Sequence, residues 1–320
     1  MSRLITALTR VLVLLALAPA LAFAQWPNRP IRIVLGGSPG GPPDTFARIY
    51  ADQLSQALGV PVIVENRTGA TGNIAQGLVA KAAPDGYTML YAIENAFTTH
   101  PFLFSKLAFD SDRDFAPVAP VVAQSYFLVV GNQFPAKNFA ELIALARGKP
   151  GSVAYASYGQ GGFPHLFMEL LADSEKLTMT HVPYRASAIP AIMGNQVPMV
   201  VEPATSAIPM IKAGKVRAIA FTGSQRHPAL PDVPTFSETH KDLILTAWQG
   251  FWVPAGTPSN VIARLNREVT AASRRPEVQK RIRDLCCEPI EGTPEEMAAM
   301  IKRDQTKWSA LVKSKNIKLD

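Results

Sequence analysis

Four segments of the chain combine glycine or hydroxyl residues with the start of a predicted helix, and this combination can bind an anion. They are residues 36–44, 157–165, 183–188 and 202–206, and each follows a short apolar run. Glycine lets a ligand approach the backbone closely. The first N–H groups of a helix have no helical partner, and with the helix dipole they favour a carboxylate or phosphate. A single Gly-rich turn is more often an ordinary loop, but four together favour a ligand site.

The candidate ligand-binding residues lie in these segments or just after a strand predicted at 88–92. They are Gly40, Gly41, Pro42, Asp44, Glu94, Phe97, Tyr158, Gly161, Gly162, Phe163, His165, Ser187, Ala188 and Thr205. Asp44 is expected to cap or orient the first of the four helices.

Several of these residues have two interpretations. His165 could contact the ligand, but a local hydrogen bond at its helix start is favoured. Phe163 lies in a loop, which favours the cleft over the ordinary packing role of aromatic residues, and the other two aromatic candidates have the same two interpretations. A carboxylate at Glu94 is unfavourable beside an anion unless it meets a cation or a proton. It would therefore pair with Arg185 or with a cationic group on the solute.

The sequence argues against several other functions. No G-x-G-x-x-G or G-x-x-x-x-G-K-[ST] loop is present, and no cofactor is expected. Cys286 and Cys287 are adjacent and lack the spacing of a zinc site, so no metal is expected. The net charge is +7 without a run of five like charges, which does not indicate a nucleic-acid partner.

The N-terminus predicts export. Arg3 and Arg10 give a positive start, residues 11–17 are apolar, and Ala22-Phe23-Ala24 is a small-residue cleavage signal. The apolar run is too short to span a membrane. The expected product is a periplasmic chain cleaved after Ala24.

The candidate segments are positioned by alternating strands and helices, which predict two α/β lobes with largely parallel sheets. Strands are predicted at 31–35, 62–65, 88–92, 126–130, 152–156, 180–182, 197–202 and 218–221. Helices are predicted at 43–58, 72–82, 139–147, 164–174, 189–194 and 206–213, followed by a helical tail at 260–274, 277–285 and 295–313. Residues 25–122 plus 250–320 would form lobe 1, and residues 123–249 would form lobe 2.

Nine short stretches, in order, carry a resemblance to a known family. They are residues 30–34, 39–41 with Asp44, 64–67 with 69 and 72–73, 83–88, 114–118, 181–184, 212–218, 230–235 and 292–296. The chain resembles the Bug (Bordetella uptake gene) solute-binding proteins of tripartite tricarboxylate transporters. The resemblance implies a type II periplasmic-binding-protein fold whose cleft closes on one small organic acid, held mainly by backbone N–H groups, hydroxyls and water. It also implies a monomer that docks on a two-component membrane permease.

The chain departs from the family pattern in its candidate loops. Pro43 stands where the family has Thr or Ser, and Phe163 and Phe97 stand where small or hydroxyl residues are usual. These departures predict a solute with an apolar or aromatic body, and Glu94 favours an amino group on it. Glu202 is expected to be structural, because the family often has Asp there. The alternatives are an exported hydrolase or lyase and a sensor ectodomain, which would need an anchor or a signalling segment.

The export prediction is tested by the mass of the periplasmic protein. We expect a mature chain that begins at Gln25. A periplasmic chain that still begins at Met1 would contradict the signal-peptide interpretation.

Overall fold

The computed structural model describes residues 26–184, 187–243 and 245–319, and its strands form two separate sheets. The first contains β1 (Ile31–Leu35), β2 (Val62–Asn66), β3 (Thr88–Ile93), β4 (Phe115–Gln124), β10 (Ala247–Pro254) and β11 (Glu288–Pro289), in the order β11-β4-β10-β3-β1-β2. The second contains β5 (Tyr126–Val130), β6 (Ala154–Ser157), β7 (Thr180–Pro183), β8 (Met199–Pro203) and β9 (Arg217–Phe221), in the order β7-β6-β8-β5-β9. The predicted signal segment lies outside the described residues.

The helices cover the sheets and form the tail. They are α1 (Pro42–Leu58), α2 (Asn73–Ala80), α3 (Asn95–Thr98), α4 (His100–Leu103), α5 (Phe139–Gly148), α6 (Phe163–Ser174), α7 (Ile189–Met193), α8 (Ala204–Lys212), α9 (Ser259–Ser273), α10 (Pro276–Asp284) and α11 (Pro294–Ser314). Within the described ranges, none of these helices has the length and apolar character needed to cross a membrane. The two-sheet α/β fold expected from the sequence is confirmed. The sheets are mixed rather than largely parallel, because β10 pairs antiparallel with β3 and β4 in the first sheet and β5 pairs antiparallel with β8 and β9 in the second.

The chain passes from the first sheet to the second through one residue, Ser125, between β4 and β5. Strand β4 is antiparallel to β10, which is antiparallel to β3, so β4 and β3 end at the same edge of their sheet. In the second sheet, Tyr126 at the start of β5 pairs with Pro203 at the end of β8. The carboxyl ends of both sets of parallel strands therefore face one another near Ser125.

Two central strands of the first sheet, β4 and β10, were not predicted from the sequence. Pro117 and Pro120 lie within β4 and cannot donate to a strand ladder, which is why a proline argues against a strand. The ladder accommodates them with two register shifts on β10, where Gly250 pairs with Pro120. A Cβ on Gly250 would lie 2.7 Å from Ala119 O, so glycine permits this close approach. Strand β10 is buried throughout and shows no alternation.

The last helix, α11, contacts the cores of both sheets. Met297 is buried against the first sheet, whereas Trp308 and Leu311 are buried in the cluster that covers the second. Between them, Asp304 accepts a hydrogen bond from Trp248 Nε1 at 2.9 Å. A helix of 21 residues is about 31 Å long, which is enough to reach both sheets.

The contact of α11 with the second sheet can be tested with Trp308→Ala. Trp308 is 3% exposed, and we expect its truncation to lower the free energy of unfolding by about 3–5 kcal/mol in urea titrations. Lys313→Ala, on the exposed side of the same helix, is the control, and it should change stability by less than about 0.5 kcal/mol. Equal effects of the two changes would contradict the burial of Trp308.

Candidate binding cleft

A cavity of about 130 Å³ lies at the carboxyl ends of β1 and β3, on the edge of the first sheet that faces the second. Its walls come from the loops after β1, β2 and β3, including Gly36, Gly37, Pro43, Thr71, Gly72, Gln76, Tyr91 and Asn95. Two of these loops meet through glycine, because a Cβ on Gly36 would lie 2.4 Å from Gly72 Cα. Gly72 itself has φ +94°, a conformation that other residues rarely adopt.

Two residues that line the cavity carry a buried side-chain atom without a hydrogen-bond partner among the described residues. They are Gln76, through Oε1, and Tyr91, whose hydroxyl lies in the core of the first sheet near Tyr50 and Cys287. A buried polar group normally has a hydrogen-bond partner, because leaving it unpaired costs free energy. Sequence analysis missed both residues. The signal was the loop before α2, where Gly69 and Gly72 repeat the strand, glycine loop and helix order of the other segments.

Asp44 holds the loop after β1 in shape. Its carboxylate accepts hydrogen bonds from Gly40 N–H (2.9 Å), Arg48 and Asn66 Nδ2 (2.8 Å). The Arg48 guanidinium and these other donors lower the pKa of Asp44 to about 2. Asp44 therefore orients the loop, as the sequence indicated. The predicted ligand-binding residues Gly40, Gly41 and Pro42 do not line the cavity, whereas the neighbouring Pro43 does.

The loop after β6 repeats this arrangement with a histidine. Gly161 N–H donates to His165 Nδ1 at 3.0 Å, four residues ahead, just as Gly40 N–H donates to Asp44. His165 is 5% exposed and stacks on His181 at 3.9 Å between ring centroids. Burial and the neighbouring His181 lower the pKa of His165 to about 4, so the ring is neutral at pH 7 and can accept this bond. The local hydrogen bond favoured from the sequence is the one observed.

Three hydroxyl groups gather around Glu202 at the carboxyl end of β8. Ser187 Oγ and Ser206 Oγ donate to Glu202 Oε1 at 3.2 and 2.6 Å. The Tyr158 hydroxyl lies beside the same carboxylate, and burial together with the charge of Glu202 raises the pKa of Tyr158. The loops after β6, β7 and β8 thus meet at one carboxylate. Of the remaining candidates here, Ala188 is fully buried and Thr205 is half-buried.

Comparison with known proteins shows which family the chain belongs to. The model of the tripartite tricarboxylate transporter family receptor matches residues 46–317. The chain belongs to this receptor family. A UPF0065 protein of Bordetella bronchiseptica is 36% identical to it over 309 residues, which are 96% of this chain and 92% of that protein.

Solved structures of similar proteins extend the comparison to the fold of the receptor. R. palustris Rpa4515 with adipate has a TM-score of 0.78 and 29% identity, over 92% of this chain and all of that one. MatC from Rhodopseudomonas palustris with bound malate has a TM-score of 0.73 and 31% identity, over 90% of this chain and all of that one. The resemblance and the periplasmic-binding-protein fold expected from the sequence are confirmed.

Two aromatic candidates occupy packed positions in the receptor rather than the cavity wall. Phe97 is 1% exposed and stacks on Trp252 at 4.2 Å between ring centroids. Phe163 stacks on Tyr126 at 4.3 Å and packs against the core of the second sheet. Phe97 is therefore a packing residue rather than a cleft residue, because its contact with β10 buries it. Phe163 is only half-buried, so its place in the cleft stays a prediction.

Glu94 also differs from its predicted role in the receptor. Its Oε2 accepts a hydrogen bond from Trp248 N–H at 3.1 Å, and its residue is 4% exposed. Burial, with a smaller contribution from Asp304, raises the pKa of Glu94 to about 8. The carboxyl group is therefore neutral at pH 7 and points at β10 instead of the cavity. The alternative partner, Arg185, lies outside the described residues.

A larger cavity of about 570 Å³ lies on the other side of β10 from the strand ends of β1 and β3. Residues of both lobes line it, among them Ser125, Phe221, Arg226 and Cys286. Strand-to-helix loops converge at the smaller cavity, whereas the larger cavity lies at the junction of the two sheets. Across the described residues, no group of three or more His, Cys, Asp or Glu side chains is arranged to hold a metal ion.

Two serines are relevant to the alternative hypothesis of an exported enzyme. The sequence analysis did not name either of them as a candidate nucleophile. Residues 36–40 match the G-x-S-x-G pattern of serine hydrolases, but Ser38 is exposed and no histidine in the described ranges hydrogen-bonds to it. Ser157 Oγ lies 2.7 Å from His181 Nε2, as in a nucleophile–base pair. Ser157 is fully buried and also holds Gly159, which makes it a loop anchor of the receptor.

The buried Glu94 predicts a pH dependence of receptor stability. Its raised pKa means that the folded state keeps a proton that the unfolded chain releases, so its contribution to stability falls between about pH 4.5 and 8. Glu94→Gln keeps a neutral acceptor for Trp248 N–H and removes this dependence. We expect the variant to gain stability over the wild type as the pH rises from 5 to 8 in urea titrations.

The control for this measurement is Glu295→Gln, which changes an exposed glutamate on α11. Its stability should run parallel to that of the wild type across the same pH range. A Glu94→Gln variant that also runs parallel would contradict a buried, protonated Glu94.

Proposed function

We propose that this receptor is a periplasmic protein that captures a small organic acid between its lobes and delivers it to the permease subunits of a tripartite transporter. The observation that carries the proposal is the match to the receptor family over residues 46–317, together with the cavity at which the strand-to-helix loops of the first sheet converge. The adipate and malate named for two similar structures support a carboxylate ligand.

The proposed closure follows from the chain path. Lobe 1 was predicted as residues 25–122 plus 250–320, and its sheet also takes in residues 123–124 and 247–249. Lobe 1 carries the cavity, and lobe 2 carries the Glu202 cluster. Ligands of open α/β sheets bind outside the carboxyl ends of the strands, and here two such edges face each other near Ser125. Rotation about the connecting segments would bring the Glu202 cluster over the cavity and exclude water from the solute.

The proposed solute is smaller and more polar than the sequence suggested. An aromatic body was inferred from Phe97, Phe163 and Tyr158, and the first two stack on Trp252 and Tyr126. None of the three lines the cavity, whose wall combines backbone and amide groups with apolar side chains such as Leu35 and Ile93. A short organic acid fits a cavity of about 130 Å³ better than an aromatic one.

The competing hypothesis is an exported enzyme, and the fate of the bound acid distinguishes it from a receptor. A hydrolase or lyase would convert its acid, whereas a receptor would release it unchanged. Recovery of the bound molecule from denatured protein, followed by mass spectrometry, separates the two.

The proposal is tested by a thermal-shift screen of short dicarboxylic, hydroxy and amino acids. A true ligand at 100 times its dissociation constant should stabilise the protein by about 2.7 kcal/mol. Gly37→Val adds bulk to the cavity wall, where a Cβ meets only ordinary contacts at 3.4 Å, and we expect about tenfold weaker binding by calorimetry.

The matched control is Gly148→Val, because a Cβ at this exposed glycine meets nothing within 4 Å. It should bind the acid as the wild type does. The proposal fails if no acid shifts the melting temperature, or if Gly37→Val remains folded and binds with unchanged affinity.

A further inference from the structure

Glu202 is a buried carboxylate with an incomplete set of partners. The residue has no exposed surface, and Oε1 takes the hydrogen bonds from Ser187 and Ser206. Oε2 has no hydrogen-bond partner, and no ion pair to Glu202 is formed within the described ranges. Burial raises the pKa of Glu202, and the surrounding hydroxyl donors oppose that shift.

The direction of these hydrogen bonds determines what the hydroxyls can offer to a solute. A serine hydroxyl has one proton and two lone pairs. Ser187 directs its proton at Glu202, and Ser206 directs its proton at Glu202 or at Pro203 O (3.1 Å), so neither proton is left for a solute carboxylate. Ser187 is exposed and uses one lone pair to accept from Ile189 N–H at 3.3 Å, whereas Ser206 is half-buried. Each hydroxyl keeps a lone pair that can accept from a solute. This part of lobe 2 is therefore a hydrogen-bond acceptor.

The cavity of lobe 1 has the complementary character. Gln76 and Asn95 line it together with Gly36, Gly37 and Gly72. Side-chain amide and backbone N–H groups can donate to a carboxylate. The two walls would therefore hold different ends of one solute, a carboxylate at these N–H groups and a donor group at the Glu202 cluster.

We propose that Glu202 is a positioning residue that turns the hydroxyls of Ser187, Ser206 and Tyr158 into acceptors, so that the receptor selects organic acids with a hydroxyl or ammonium group over the same acids without one. This inference rests on the proposed function and adds the class of solute. A plain dicarboxylate would place lone pairs or a second negative charge against this wall, which is unfavourable. Rejection of wrong ligands in this way is a common source of specificity.

The test compares acids that differ only in the donor group. Succinate, malate and aspartate share a four-carbon skeleton, and glutarate, 2-hydroxyglutarate and glutamate share five carbons. Calorimetry at pH 7 should show malate or aspartate, or their five-carbon counterparts, binding at least about tenfold more tightly than the plain acid. The hydroxy and amino members show which donor is preferred.

Glu202→Gln removes the charge at nearly constant volume, and its amide can donate. We expect the preference to fall to less than about threefold, mainly because the plain acid binds better. Glu202→Asp keeps the charge and should keep the direction of the preference. The control Glu94→Gln alters another buried glutamate of the same chain, and the ratio of affinities should stay at the wild-type value.

The inference is overturned if the plain acid binds the wild type as tightly as its hydroxy and amino counterparts. It is also overturned if folded Glu202→Gln, checked by circular dichroism, keeps the wild-type ratio. Either result leaves the proposed function standing, because an acid still binds. If no organic acid binds in the screen, the proposed function fails and the inference fails with it.

Discussion

The whole arrangement depends on the single residue that joins β4 to β5. With only Ser125 between two strands of different sheets, the edges of those sheets must meet at that point. Because β5 runs antiparallel to β8, the edge that meets the first sheet is the one where β6, β7 and β8 end. A short connection and one antiparallel strand therefore bring the loops of both lobes together, and no further feature of the sequence is needed to do so.

The strands and helices of the repeated α/β units were predictable from the sequence, whereas the central strands of the first sheet were not. The patterns of short apolar strands predicted all five strands of the second sheet but only three of the six strands of the first. Strands β4 and β10 escaped prediction because Pro117, Pro120 and Gly250 are unfavourable in strands, and only the pairing of the two strands accommodates them. The candidate loops do lie between strands and helices, but the burial of Phe97 and Glu94 depends on distant segments, which no local pattern reports.

The loops at residues 36–44 and 157–165 share one hydrogen-bonding arrangement, and it explains why few of their backbone N–H groups are free. In each, a side chain in the first turn of the helix accepts a hydrogen bond from a glycine four residues earlier, through Asp44 in one lobe and His165 in the other. The sequences Gly-Gly-Pro-Pro-Asp and Gly-Gly-Phe-Pro-His place the acceptor at the same position. The loops are thereby fixed before a solute arrives, which lowers the ordering cost of binding. The same bonds use donors that a carboxylate would otherwise receive.

The contact of α11 with both sheets has a mechanical consequence. Two chain crossings alone would let the lobes both swing and twist about the line that joins them. In the proposed closure, α11 would be a third connection, because it packs on the first sheet at Met297 and on the core of the second sheet at Trp308. A stiff helix held at both ends would resist the twist. The lobes would then keep one principal motion, and the same two surfaces would meet at each closure.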